Sequence, residues 1–209
     1  MTPDSGKKHL SMLRSYTVAD AFTLGNASCG TIALFLCLEY SLSHRDWLIW
    51  TAVALLFLAL FWDVMDGYWA RRSRRQSVLG ADLDSLSDIV SFGVAPAVLG
   101  YTLGLRGGWD IVILVYFVVC GISRLARFNV TAAALSDGSG KVKYFEGAPI
   151  PTSVLIVAVL AAAFAAGAVE EELWLGAHRI LLPTLHPLTL LYGASGTAMI
   201  SATLRIPKP

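Results

Sequence analysis

The sequence predicts an all-α integral membrane protein: six transmembrane helices preceded by an amphipathic surface helix. Three observations predict it. Of 209 residues, 56% are hydrophobic and the mean hydropathy is +0.62, more apolar than a soluble domain of this length usually is. Six stretches come close to the roughly 20 residues that a helix needs to cross a bilayer core. Lys and Arg, finally, are spread unevenly among the connecting segments, the pattern that orients membrane helices.

The elements follow in order. Residues 1–20 contain KKHLSMLRSYTVAD, where basic and apolar residues alternate at near-helical spacing. That suits an amphipathic segment lying on the membrane, with a disordered basic tail as the alternative. The same residues are polar and mixed in charge, unlike a cleavable signal peptide. Spans are expected over 22–41, 47–70, 86–105, 109–127, 149–168 and 187–204. A Gly/Ser-rich loop, LSDGSGKVKYFEGAPIP, precedes the fifth, and Pro149 and Pro151 give that span a rigid entry. The loop is either a cover for a site or contact for anionic lipid, or a plain linker. Glu170, Glu171 and Glu172 read as a solvated loop. With no repeat, low-complexity tract or composition break, residues 1–209 read as a single domain.

Net charge is +1, which gives no global attraction to polyanions and no reason to expect nucleic acid as a partner. Thirteen of the sixteen Lys and Arg fall on one side of the expected topology. They are Lys7, Lys8, Arg14, Arg71, Arg72, Arg74, Arg75, Arg124, Arg127, Lys141, Lys143, Arg205 and Lys208. Arg45, Arg106 and Arg179 fall on the other. The basic side is expected to face the cytosol. Cys29, Cys37 and Cys120 lie in apolar stretches without CxxC or Cys/His spacing, so they read as buried or lipid-facing small residues rather than a zinc site or disulfide framework. His9, His44, His178 and His186 are scattered over termini and loops and read as non-catalytic.

Chemistry concentrates in FWDVMDGYWARRSRRQSVLGADLDSLSDIVSFGVAPA. Asp63 and Asp66 are i, i+3 on one helix; Asp84 and Asp88 are i, i+4 on the next, so each pair shares a face. A carboxylate at the centre of a membrane helix costs about 2.5–3.5 kcal/mol on insertion scales, and four so close together need compensating charge. An all-oxygen ligand set suits Mg²⁺ or Mn²⁺. Positions 63, 66, 67, 70 and 71 form one stripe: Gly67 and Ala70 leave room against the backbone, and Arg71 supplies a phosphate-binding fork. Gly80 permits a tight return toward Asp84 and Asp88. The pattern reads as a metal-bearing nucleotide-diphosphate site.

Read as Asp63-x₂-Asp66-Gly67-x₂-Ala70-Arg71-x₈-Gly80-x₃-Asp84-x₃-Asp88, the run resembles the signature of the CDP-alcohol phosphotransferase family at every defining position. The resemblance implies that family's helical membrane fold and two divalent cations on Asp63, Asp66, Asp84 and Asp88, with Asp88 also suited to act as base. It implies CDP-diacylglycerol contacts from Asn26, Gly67, Ala70, Arg71, Ser77 and Gly80. The flanking segments LDSLSDIVSFGVAPA, SRLARFNVT and YFEGAPIPT resemble the branch of the family that makes phosphatidylserine from CDP-diacylglycerol and L-serine. HLSMLRSYTVADAFTLGNASCG and TLRIPKP are similar to its fungal members. That implies an endoplasmic reticulum membrane for a fungal chain, a bacterial inner membrane otherwise, and a homodimer or higher homo-oligomer. Tyr68 and Trp69 depart from the usual basic and small aliphatic residues at those places, without touching a ligand position.

Serine brings a carboxylate and an ammonium. Arg124 and Arg127, at the cytosolic end of the fourth span, are candidates to clamp the carboxylate, and snorkelling cations are the alternative. Arg127 is the stronger candidate, because Phe128 and Asn129 beside it add a wall and a hydrogen-bonding group. Ser91 and Ser87 either line the pocket or pack helices. Within the family, inositol phosphate or glycerol phosphate as acceptor would want a denser basic cluster. A transporter using intramembrane carboxylates would spread them through the bilayer and show an inverted repeat; here they gather at one edge.

Overall fold

The computed structural model describes residues 18–73, 80–136, 144–179, 183–201 and 205–207. The amphipathic segment expected over 1–20 therefore lies, up to residue 17, outside the described residues. Helix α1 (Val18–Ser43) and helix α2 (Asp46–Ser73) form an antiparallel pair joined at His44, whose positive φ of 50° turns the chain between them. Helix α3 (Gly80–Asp88) runs through a π-helical turn, Ile89–Val94, into α4 (Ala95–Thr102), giving one continuous rod. Helix α5 (Gly108–Ser136) returns antiparallel. Strand β1 (Tyr144–Glu146) leads through a short 3₁₀ turn, Ile150–Ser153, into α6 (Val154–Ala165). Strands β2 (His178–Arg179) and β3 (Thr184–Leu185) form a hairpin. Helix α7 (Leu190–Ile200) follows a 3₁₀ turn at Pro187–Thr189, and β4 (Arg205–Pro207) pairs antiparallel with β1, with Phe145 opposite Ile206.

Four of these rods are long and apolar enough to cross a membrane: Val18–Ser43, Asp46–Trp69, Gly80–Thr102 and Gly108–Thr131. The fifth apolar segment is shorter, Ile150–Ala165, and α7 has 11 residues. The coarse expectation, a helical integral membrane protein, is met. The third span begins earlier than hydropathy suggests, because GADLDS is polar yet helical; Asp84 is thus held on a regular helix, not in a loop. Pro149 stands extended (φ −67°, ψ 144°) directly before the Ile150–Ser153 turn, and Pro151 lies within it, the rigid entry expected of them.

The core is a set of small-residue stripes. On α2 Ile49, Ala52, Val53, Leu56 and Ala59 recur at helical spacing and are buried, while Trp47, Trp50, Phe57, Leu58, Phe61 and Val64 point outward. Large apolar side chains on the outside and small ones within are what lipid solvent selects. On α1 the buried stripe runs Asn26, Cys29, Gly30, Ala33, Cys37 and Tyr40. A Cβ on Gly30 would overlap Ser91 Oγ and lie 2.8 Å from the Ser91 Cα, so only glycine allows this approach. On α5 a Cβ on Gly121 would meet Ile150 at 2.8 Å, and α7 presents Gly196 against the Phe117 backbone.

The π turn has a local cause. Pro96 has no N–H to return to the preceding turn and its ring crowds that turn's carbonyl. The helix widens just upstream, where the Ala95 N–H reaches Val90 O, five residues back. The Pro96 carbonyl instead accepts a 2.6 Å hydrogen bond from the Tyr192 hydroxyl on α7.

At the end away from the aspartates, Asp110, fully buried, is saturated with donors. It accepts from the N–H of Gly107 (2.7 Å) and of His186 (2.8 Å), from His186 Nδ1 and from Thr189 Oγ1 (2.7 Å). This ties the 183–189 segment to the start of α5. His186 thus holds a structural post. Glu170 pairs with Arg106 at 3.6 Å, both partly exposed.

Candidate active site

The site lies where the end of α2, the start of α3, the start of α1 and the last turns of α5 meet. Asp63, Asp84 and Asp88 each bring one carboxylate oxygen to within 4.8 Å of the others. Asp63 and Asp84 are half-buried and Asp88 is buried, at 6% exposure. Two unit charges at that separation repel by roughly 3 kcal/mol at an effective dielectric of 20, so three mutual pairs approach roughly 10 kcal/mol. That is comparable with the whole stability of a domain. Cationic charge beside them relieves this repulsion when they are ionised. The donors are all oxygen, with no thiolate or imidazole among them, which fits a hard divalent cation.

Protein charge comes from Arg124. It is half-buried on α5, near enough for its guanidinium to act electrostatically on Asp88, Asp63 and Asp84. Phe128, one turn on, lies under it with the ring centroid 5.8 Å from Cζ. One cation cannot balance four carboxylates, which leaves room for metal charge.

Asp66 stands somewhat apart. Its Oδ2 accepts a 2.6 Å hydrogen bond from Thr23 Oγ1 of α1, and it lies close enough to feel Asp63 and Asp84. Asn26, fully buried one turn beyond Thr23, donates Nδ2 to Asp88 Oδ1 at 3.2 Å. An ionised carboxylate only accepts, so this contact fixes which end of the amide faces it. The other end, Asn26 Oδ1, is buried with no hydrogen-bond partner among the described residues.

The sequence-predicted residues divide accordingly. Asp63, Asp84 and Asp88 converge, with Asp66 beside them and Asn26 against them. Gly67 is half-buried on α2, and Gly80 heads α3. Ala70 and Arg71 continue α2, but their side chains, like all of Ser77, lie outside the described residues. Of the two candidate serine clamps, Arg124 is the one beside the carboxylates; Arg127 is exposed. Asn129 is engaged elsewhere: its Oδ1 accepts from Ser85 Oγ at 3.1 Å and its Nδ2 donates to Asp82 Oδ1 at 3.3 Å, stapling α5 to α3. Ser91, fully buried, donates to the Asn26 carbonyl at 2.9 Å. Ser87 is buried too. Tyr68 and Trp69 are exposed on the outer surface. Sequence reasoning missed Thr23 and the buried Asp20. The signal was present: Asp20, Thr23 and Asn26 recur every third residue, a polar stripe on an otherwise apolar helix.

A family model described as CDP-alcohol phosphatidyltransferase matches residues 16–191. The CDP-diacylglycerol–serine O-phosphatidyltransferase of Saccharomyces cerevisiae is 39% identical over 208 residues, 98% of this chain and 75% of that protein. The archaetidylserine synthase of Methanothermobacter thermautotrophicus is 36% identical over 141 residues, 66% of this chain and 54% of that protein. A CDP-diacylglycerol–serine O-phosphatidyltransferase from Bacillus subtilis is 35% identical over 140 residues, 66% of this chain and 71% of that protein.

Proposed function

Since the chain belongs to the CDP-alcohol phosphatidyltransferase family, we propose that it transfers the phosphatidyl group of CDP-diacylglycerol to the hydroxyl of L-serine and releases CMP. The observation that carries this is the convergence of Asp63, Asp84 and Asp88 beside Arg124, within the match to serine-using relatives. Asp63, Asp66, Asp84 and Asp88 would hold two divalent cations, Mg²⁺ or Mn²⁺. When bound, these supply positive charge to the pyrophosphate and to the oxygens that become more negative during transfer.

The chain's own groups do the rest. Gly67 and Ala70 leave space along α2 for the nucleotide, with Arg71 and Ser77 on its phosphates and Gly80 opening the next helix. Arg124 takes the serine carboxylate and presents the hydroxyl to the phosphorus that carries diacylglycerol. The serine oxygen bonds to that phosphorus, the bond to the CMP oxygen breaks, and Asp88 accepts the hydroxyl proton. General-base help of this kind is worth about 10²- to 10⁴-fold; positioning and electrostatics supply the remainder. Arg127 and Phe128 form the outer wall.

The larger frame belongs to the same reading. Residues 1–209 form one domain with six spans, Ile150–Ala165 and the 187–200 segment being the fifth and sixth. The aspartate end faces the cytosol, from an endoplasmic reticulum membrane in a fungal cell or the inner membrane in a bacterium. The protein works as a homodimer or higher homo-oligomer. The test is purified protein with CDP-diacylglycerol and Mg²⁺ or Mn²⁺, following CMP release with serine, inositol and glycerol 3-phosphate in turn. Release with serine alone is expected; release with another acceptor and not with serine would overturn the assignment.

A further inference from the structure

We infer that α1 is a positioning element for the metal ligands: Thr23 and Asn26 hold Asp66 and Asp88, one from each aspartate pair, in their binding orientations. The inference rests on the reading of these aspartates as cation ligands. Thr23 and Asn26 are three residues apart on α1 and both are buried. Thr23 Oγ1 donates to Asp66 Oδ2 at 2.6 Å and Asn26 Nδ2 donates to Asp88 Oδ1 at 3.2 Å. One helix face thus reaches a carboxylate on α2 and a carboxylate on α3.

Two features separate this from ordinary packing. Asn26 keeps its amide turned toward Asp88 although that leaves Asn26 Oδ1 buried without a partner among the described residues, and buried polar groups are otherwise almost always paired. An amide serving only to join helices would sit where both ends were satisfied. The contact is also rigidly backed. The Asn26 carbonyl accepts from Ser91 Oγ at 2.9 Å, and Gly30, one turn on, lies against Ser91 too closely for any side chain. The π turn at Ile89–Val94 begins immediately after Asp88, and it carries Ser91 on the α1-facing side together with Asp88. Hydrogen bonds to ligating carboxylates orient them and raise metal affinity, and their loss typically lowers it about 10- to 100-fold.

The experiment titrates MgCl₂, and separately MnCl₂, into the purified full-length protein in detergent and follows the melting temperature. A ligand that binds the folded state raises it. Thr23→Val, which keeps the shape, and Asn26→Leu should each raise the cation concentration for half-maximal stabilisation about 10- to 100-fold. Thr23→Ser, which retains the donor, should restore the wild-type midpoint. Equilibrium dialysis with Mn²⁺ at low temperature gives the same comparison should Asn26→Leu melt too early. A lowered melting temperature in the metal-free variants with unchanged cation midpoints would reduce both residues to packing and overturn the inference. A wild type that neither ion stabilises or binds would instead remove the metal reading itself.

Discussion

Arg124 and Arg127 are three residues apart at the same end of α5, and from spacing alone either can clamp a carboxylate. Their neighbours on the helix favour Arg127, with Phe128 and Asn129 adjacent. Packing reverses that preference. The Asn129 amide is engaged with Ser85 and Asp82, Phe128 lies under Arg124, and Arg124 is the guanidinium beside Asp63, Asp84 and Asp88. A planar fork and a point charge are not equivalent on a carboxylate. Arg124→Lys should therefore raise the KM for serine by about tenfold to over a hundredfold, the worth of a charged hydrogen bond at roughly 1.5–3 kcal/mol. Its KM for CDP-diacylglycerol should change little, and Arg127→Lys should behave like wild type. Steady-state kinetics with each substrate varied would decide; the opposite pattern returns the clamp to Arg127. Among the carboxylates, Asp63→Ala, Asp66→Ala and Asp84→Ala should abolish turnover through lost cation binding. Asp88→Asn should keep nucleotide binding, measured with labelled CDP-diacylglycerol, while losing turnover; loss of both would make Asp88 chiefly a ligand and place the base elsewhere.

Between elements, the decisive contact is Gly30 on Ser91. A Cβ at residue 30 would stand 2.8 Å from the Ser91 Cα as well as against its hydroxyl, so trimming the Ser91 side chain gives no relief. Gly30→Ala should destabilise the protein by about 1–3 kcal/mol, the usual range for overpacking, and Gly30→Ala with Ser91→Gly should not recover it. At Gly193 an added Cβ would touch only Ile113 at an ordinary 3.4 Å, so Gly193→Ala should melt close to wild type. Thermal unfolding in one detergent compares the three. This contact also shows where sequence reading stops. The i, i+3 and i, i+4 aspartate pairs were legible because helical periodicity puts them on one face before any packing is known. Asn26 could be singled out as a polar residue in an apolar span, but its partner is 62 residues away and depends on a close helix crossing that one glycine permits. Thr23 was overlooked because a threonine in a membrane helix usually bonds its own backbone, as Thr31 does; Thr23 also lies 3.2 Å from the Ala19 carbonyl, but its shorter contact, 2.6 Å, is to Asp66. The π turn is likewise a packing outcome, although Pro96 marks its place.

At the scale of the whole molecule, the two ends of the bundle carry opposite kinds of polar cluster. One end gathers three carboxylates with a half-buried arginine, a cluster that could hold a metal ion. The other holds Asp110 saturated by Gly107, His186 and Thr189, a device that needs nothing further and fastens the last helix to α5. An orientation can be expected from the sequence because charge placement is a property of connecting segments, independent of how helices pack. The span count was less so, because α6 and α7 are short and read as spans only together with their flanking turns. The orientation leads to an expectation that labelling can check. Cys29, Cys37 and Cys120 are all buried, so a cysteine at an exposed loop position reports on a quiet background. With thirteen of the sixteen Lys and Arg expected on the aspartate side, that side should face the cytosol. Glu172, exposed in the turn before β2, belongs to the opposite end. In sealed vesicles with the cytosolic face outward, Glu172→Cys should resist a membrane-impermeant maleimide until detergent is added. Thr131→Cys, exposed on α5 two turns beyond Arg124, should react at once. Reversed accessibility of the two positions would invert the topology and put serine and CDP-diacylglycerol delivery on the other side of the membrane.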